Sequence, residues 1–188
     1  MTSIPLILAS GSPRRRELLE SMGLSYSVDV SDVDESFEGC PDEMVIELSR
    51  RKARAVAERH ESSLILAADT IVYCDQVLGK PESREHAVSM LKALSGRWHS
   101  VYTGITLINT ATGNEYSRAE ETRVHFAEMT DTEICEYVAG GEPMDKAGAY
   151  AIQGRAGMYI DRIEGSYTNV VGLPTAVLRK MILEALDQ

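Results

Sequence analysis

The spacing of apolar positions changes several times along this chain, and each change predicts an element. The opening run IPLILA (4–9) is continuously apolar, as in a short strand buried on both faces of an α/β sheet. From Pro13 to about Met22 the spacing becomes helical, with Gly23 as the stop. YSVDVSDVD alternates like a strand, and CPDE then opens a long helix reaching about His60. LILAAD (64–69) predicts a second buried strand, and TIVYCDQVLGKP a hairpin turning at Asp75-Gln76. SREHAVSMLKALSG reads as an amphipathic helix ended by Gly96, followed by a long hairpin with its turn at TATGN. A helix from about Thr130 to Val138 precedes the irregular, glycine-rich segment 140–157. The strand MYIDRI, the turn EGSY and a terminal helix after VVGLP complete the chain. Strands mixed with helices, with no repeat, linker or low-complexity run, predict one mixed α/β domain over residues 1–188.

Composition narrows the function. The 188 residues are 44% hydrophobic and 26% charged, as in a soluble globular protein. A formal net charge of -10 argues against a nucleic-acid partner, which calls for a broad basic surface. A small anionic ligand is compatible, provided positive charge is concentrated in one place. Cys40, Cys74 and Cys135 are odd in number and widely spaced, which predicts neither a disulfide framework nor a zinc site and fits a reducing cytoplasm. MTSIPLILAS lacks the basic start of a signal peptide, and no window approaches the roughly 18 apolar residues of a membrane span. The expectation is a cytoplasmic protein without a membrane partner.

Positive charge is indeed concentrated, in LILASGSPRRRELL (6–19). A buried strand, a glycine turn and a helix start form the geometry in which backbone N–H groups face an anion. Ser10 and Ser12 flank the turn, Ser12 suits the N-cap and Pro13 the first helical position. At about 100° per residue, Leu18, Leu19 and Met22 define the buried stripe and Arg15 falls near its centre. Arg14 lies on the flank, and Arg16 points away, placed to pair with Glu20. An arginine inside an apolar stripe must meet a fixed anion. That anion is either a structural carboxylate or a bound phosphate, and the serines and helix start beside Arg15 favour phosphate.

The long helix repeats the logic. Lys52 lies at the centre of the stripe marked by Val45, Leu48 and Val56, whereas Arg50, Arg51 and Arg54 point elsewhere as surface charge. Lys52 is either a snorkelling side chain or a second cation aimed at a polyphosphate. Asp69 ends LILAAD, where a carboxylate either caps the next turn or serves a metal or water. Glu35 in DVDES and Lys80 in GKP gain meaning only beside the others. No G-x-x-x-x-G-K-[ST] is present, which excludes a P-loop. RELLESMGL imitates half of a Nudix box, but Ser21 and Leu8 stand where that chemistry needs glutamates. His60, His86, His99 and His125 fall on expected surfaces and receive no role, and Trp98 and the tyrosines show no stacking pattern.

Taken in order, ASGSPRRRELL, VDES, RKA, AADTIV, GKP, MDKAGAYAIQG and GSYTNVVGLP closely resemble the Maf family of nucleotide pyrophosphatases from Leu6 to Pro174. The resemblance implies a cytoplasmic enzyme that cleaves a nucleoside triphosphate between the α and β phosphates, releasing monophosphate and pyrophosphate. It implies a mixed twisted sheet flanked by helices, two-lobed with a central cleft like the inosine triphosphate pyrophosphatases. It also implies a divalent cation (Mg²⁺, Mn²⁺ or Co²⁺) and, often, a homodimer. Carried over, Ser10, Ser12, Arg14, Arg15, Lys52 and Lys80 surround the phosphates, Asp69 accepts the proton of water, and Glu35 assists at the metal or water. Asp69 and Glu35 are then the metal-side carboxylates, and Lys52 joins them as a catalytic cation.

The branch of the family acting on dTTP and UTP carries Arg, Thr and Gln at three selecting positions, matched here by Arg14, Thr70 and Gln153. The branch acting on 7-methyl-GTP differs at all three. The Gln153 amide can donate to O4 and accept from N3–H of uracil or thymine, and can equally pair with adenine. Two rival functions remain testable. A nucleotide-binding regulator of cell division would not need a positioned base, and a general phosphatase would release orthophosphate.

Overall fold

Short, continuously apolar strands need cover on both faces, and the first of them receive it from crossover helices. The computed structural model describes residues 4–186. In it, β1 (Leu6–Leu8) runs parallel to β2 (Tyr26–Val28) and to the start of β3 (Leu64–Cys74), with Leu6, Ile7 and Leu8 opposite Leu64, Ile65 and Leu66. Helix α1 (Pro13–Ser21) connects β1 to β2, and α2 (Pro41–Ala57) connects β2 to β3. After β4 (Gln76–Leu78) come α3 (Arg84–Leu94), β5 (Trp98–Asn109), β6 (Asn114–Phe126) and α4 (Asp131–Ala139). Three 3-10 turns lead to β7 (Ile160–Glu164), α5 (Tyr167–Val171) and α6 (Thr175–Leu186). The seven strands form one mixed sheet in the order β2-β1-β3-β5-β6-β7, with β4 antiparallel to β3. The fold is therefore mixed α/β, as expected.

The chain resolves into two compact units interleaved in sequence. One comprises the residues up to Asp69, Thr103–Glu120 and the chain from Gly172; the other comprises Thr70–Tyr102 and Glu121–Val171. β3, β5 and β6 contribute residues to both. Two expected strands change length. The alternation of YSVDVSDVD yields a strand of three residues, because β1, its only parallel neighbour on that side, is itself three residues long. LILAAD does not end at Asp69: β3 continues to Cys74, its later residues pairing with β4. Asp69 is therefore an inner residue of a long strand and not a strand terminus.

In the first unit, α2 packs Ala53 and Val56 against Ile7, Ile65, Ala67 and Ile108. The helix lies so close to β5 that a Cβ on Gly104 would overlap the Val45 carbonyl and come within 2.8 Å of the Ile46 nitrogen. The buried Ser49 hydroxyl meets Thr106 Oγ1 at 2.9 Å, and Thr106 meets Ser117 Oγ at 3.0 Å, a polar line that fixes the helix in register. Gly104→Ala is expected to destabilise the protein by about 1–3 kcal/mol, since a helix backbone must be pushed off the sheet. Urea denaturation measures this as a lower midpoint.

The second unit buries Val72, Leu91, Leu94, Phe126, Ile134 and Tyr137. His99, expected on a surface, is instead 4% exposed. Its Nε2 hydrogen-bonds the Tyr150 hydroxyl at 2.7 Å, and the rings of His99, Tyr150 and Phe126 pack edge-on. Burial pushes the His99 pKa down from 6.5 to about 4. Between those values the unfolded chain binds a proton that folded His99 refuses, so this contribution to stability is complete above pH 6.5 and is lost as pH falls through about 4. The full effect is about 3 kcal/mol. His99→Gln, which cannot titrate, is expected to flatten the decline in stability over that window.

Candidate active site

The opening arginine-rich stretch folds into a small hydrogen-bonded frame. Ser10, 7% exposed, follows β1, and its Oγ accepts from the Ser12 backbone N–H at 3.2 Å and from Arg15 Nη1 at 3.0 Å. With two acceptor contacts filled, its own O–H remains a donor for a ligand oxygen. Ser12 occupies the N-cap of α1 and Pro13 begins the helix, but the Ser12 side chain makes no capping bond. The expected side-chain cap is thus absent, and it is Ser10 that engages the Ser12 N–H in this turn. Leu18 and Leu19 are buried as the helical phase requires, while Arg14 and Arg15 are half-buried. Glu20, expected to pair with Arg16, instead accepts from the Tyr26 hydroxyl at 3.0 Å, and Arg16 is half-buried too.

Arg15 is held at its other edge by a partner remote in sequence. Its Nε donates to the Gly172 carbonyl at 2.9 Å. The chain reaches that position with Gly172 at φ 119°, a conformation that favours glycine. Burial lowers the Arg15 pKa, the Asp69 carboxylate opposes that, nearby Arg14 adds to the lowering, and Glu35 opposes it again. The guanidinium, whose ordinary pKa exceeds 12, stays a cation at neutral pH. It is a fixed positive fork whose Nε and Nη1 orientations are set before any ligand arrives.

Lys52 aims inward from α2, as its phase predicts. Its Nζ lies 2.5 Å from Asp69 Oδ1 and 2.8 Å from Glu35 Oε1. Asp69 is 8% exposed, whereas the Glu35 side chain is 61% exposed. Glu35 lies between α2 and β2 in a loop without regular structure. That loop is held by Arg51, whose Nη1 donates to the carbonyls of Asp34 at 3.3 Å and Ser36 at 2.8 Å. Arg50 and Arg54 clamp Glu115 of β6 at 2.7 and 2.8 Å. Three arginines read as plain surface charge therefore brace the helix and the Glu35 loop.

Ser10, Arg15, Glu35, Lys52 and Asp69 are thus brought together within the first unit, with Ser12 joined through its backbone and Arg14 adjacent on the helix. Thr70, Lys80 and Gln153 belong to the second unit. Thr70 follows Asp69 along β3 and is half-buried. Lys80 is exposed beyond β4, where the Gly79 carbonyl accepts from the Gly148 N–H at 3.0 Å. Gln153 is exposed in a turn closed by the Gly154 N–H on the Ala151 carbonyl at 3.0 Å. The Gly172 carbonyl and Arg51 escaped the sequence reading. Neither carries a side-chain signal of its role: one acts through backbone, the other through backbone partners on a distant loop.

The donor set also bears on a divalent cation. Two carboxylates converge on one positive centre, the Lys52 ammonium, and oxygen donors of this kind suit a hard ion such as Mg²⁺ or Mn²⁺. Among the described residues no group of three or more acidic, histidine or cysteine side chains surrounds a common point. Glu35 and Asp69 therefore fit an ion that takes its remaining ligands from water and phosphate oxygens, as Mg²⁺ commonly does.

A mixed α/β protein that gathers cations and an inner carboxylate in this way is equipped to bind and hydrolyse a phosphate anhydride. The chain belongs to the Maf-like protein family, whose profile matches residues 5–185. It is 49% identical over 180 residues to a dTTP/UTP pyrophosphatase of Pelotomaculum thermopropionicum, covering 94% of each chain. It is 50% identical over 173 residues to a dTTP/UTP pyrophosphatase of Halalkalibacterium halodurans, covering 90% of each. Among solved structures it resembles a HAM1 protein of Coxiella burnetii with a TM-score of 0.48 and 19% identity, over 67% of this chain and 74% of that one. No described helix is long and apolar enough to cross a membrane.

Proposed function

We propose that this chain hydrolyses dTTP and UTP to the nucleoside monophosphate and pyrophosphate, by attack of water on the α phosphorus. The observation that carries the proposal is the Lys52 ammonium held between Asp69 and Glu35. A protein that only binds nucleotides has no need of an inner carboxylate set beside a cation. One oxygen of Asp69 is engaged by Lys52, and the other is the acceptor for the proton of water. Arg15, with Nε and Nη1 already engaged, presents its fork to phosphate oxygens, and Ser10 donates its O–H beside it. Lys52 exchanges a carboxylate partner for a phosphate oxygen as negative charge grows on the leaving pyrophosphate. Arg14 and Lys80 add further positive charge.

Glu35 and Asp69 would hold the divalent cation, which when bound neutralises phosphate charge and makes water a better nucleophile. Arg14, Thr70 and Gln153 are the residues we assign to substrate choice, with the Gln153 amide directed at the 4-position of uracil or thymine. The three free thiols, Cys40, Cys74 and Cys135, support a reducing, cytoplasmic setting. A homodimer is part of the proposal and is tested by solution mass.

A panel of nucleoside triphosphates with Mg²⁺ or Mn²⁺, with monophosphate, diphosphate, pyrophosphate and orthophosphate resolved, tests the reading. The expected products are dTMP or UMP with pyrophosphate, and far less turnover of GTP and 7-methyl-GTP. Orthophosphate as the first product would make the protein a general phosphatase, and absence of turnover would favour a nucleotide-binding regulator.

A further inference from the structure

A glutamine amide is ambidextrous: turned by half a revolution, it exchanges donor for acceptor and suits cytosine or adenine as well as uracil. That half-turn belongs to the side chain, but whether the amide reaches the base at all depends on where the backbone of its turn is held. The structure holds it on both sides. Ahead of it, Tyr150 is buried and bonded to His99, as described above. Behind it, the Arg155 N–H donates to Glu142 Oε2 at 3.1 Å, and the buried Tyr137 donates its hydroxyl to Glu142 Oε1 at 2.9 Å. Gly154 leaves the space that this carboxylate fills, since a Cβ there would overlap Glu142 Oε1 and lie 2.9 Å from Oε2. One oxygen of this half-buried glutamate is thus committed to Arg155, the other is tied to Tyr137 of the preceding helix while filling the space beside Gly154, and no step of the hydrolysis uses it.

We propose that Glu142 is a positioning residue for base selection, fixing the turn that carries Gln153 so that its amide is offered to O4 and N3–H of the pyrimidine. The inference rests on the reading that Gln153 contacts the base. Glu142→Ala releases the turn. Glu142→Gln preserves it, because the amide oxygen can accept from Arg155 N–H while its NH₂ donates to Tyr137 Oη.

The test compares kcat and KM for UTP and CTP in wild type, Glu142→Ala, Glu142→Gln and Gln153→Ala. Loss of the fixed turn, and with it the reach of the amide, is expected to lower the UTP-to-CTP ratio of kcat/KM about tenfold in Glu142→Ala, mainly through KM for UTP, with Glu142→Gln near wild type. Should Glu142→Ala fail to fold, Tyr137→Phe removes one of the two bonds without opening a cavity and is expected to lower the same ratio in part. A ratio unchanged in Glu142→Ala or, in its place, Tyr137→Phe, or an equal loss for both nucleotides, overturns the proposal if Gln153→Ala does lower the ratio. If Gln153→Ala leaves the ratio at the wild-type value, the reading of Gln153 itself is wrong.

Discussion

Asp69→Asn is expected to lower kcat by at least about a hundredfold while leaving affinity for a non-hydrolysable nucleotide within a few-fold of wild type. The amide keeps the shape of the carboxylate and can still accept from Lys52 Nζ, so the frame around it persists. It cannot take a proton from water. Removing a negative charge near the phosphates does not itself weaken their binding, and with the divalent cation kept saturating, to offset the loss of one carboxylate ligand, the effect falls mainly on turnover. Steady-state kinetics, paired with titration of an α,β-methylene analogue, measure both halves. A variant retaining kcat within a factor of about three would remove Asp69 from the role of base. Equal loss of turnover and analogue binding would make it a binding residue. A regulator whose hydrolysis is incidental would keep its cellular phenotype with this substitution.

Arg15→Lys is expected to lower kcat/KM by about 10- to 100-fold despite conserving charge. The guanidinium engages the Gly172 carbonyl and Ser10 Oγ at once, through Nε and Nη1. A lysine ammonium is a single point with three donors and cannot span those partners at once. The carbonyl of Gly172 would lose its donor as well, so a lower melting temperature should accompany the kinetic loss. Unchanged kcat/KM would show that only net charge matters at this position and that the fork geometry is incidental.

Helical phase is a partial guide to the cations, since Arg16, expected to point away, is half-buried like Arg14 and Arg15. It separated Arg15 and Lys52 from neighbours of equal charge, and both are the residues that converge on Ser10, Gly172, Asp69 and Glu35. Phase works there because α1 and α2 each bury a single stripe. Strand ends were less legible. The run LILAAD is apolar for as long as both faces are covered, and nothing within it tells where β1 stops and β4 takes over as partner. The sequence pattern therefore makes Asp69 look like a terminus, although it is an inner residue of β3.

His99, by contrast, carries a signal of its burial in the sequence. Alternation along WHSV places it on the same face as Val101, which is buried. Other features leave no trace in sequence. The closeness of α2 to Gly104, the carbonyl offered by Gly172, and Glu142 filling the space at Gly154 are backbone approaches between distant segments. Residue type alone does not encode them. The proposed selecting positions Arg14, Thr70 and Gln153 are legible only through the family resemblance, since an exposed glutamine in a turn carries no physical signal by itself.

Attack of water on the α phosphorus leaves a mark in the products. Hydrolysis of UTP in H₂¹⁸O, with the products analysed by mass spectrometry, reads it directly. The account predicts ¹⁸O in UMP and none in the released pyrophosphate. Label in pyrophosphate would place the attack at the β phosphorus and contradict the assignment of Asp69, Lys52 and Arg15 around the scissile bond.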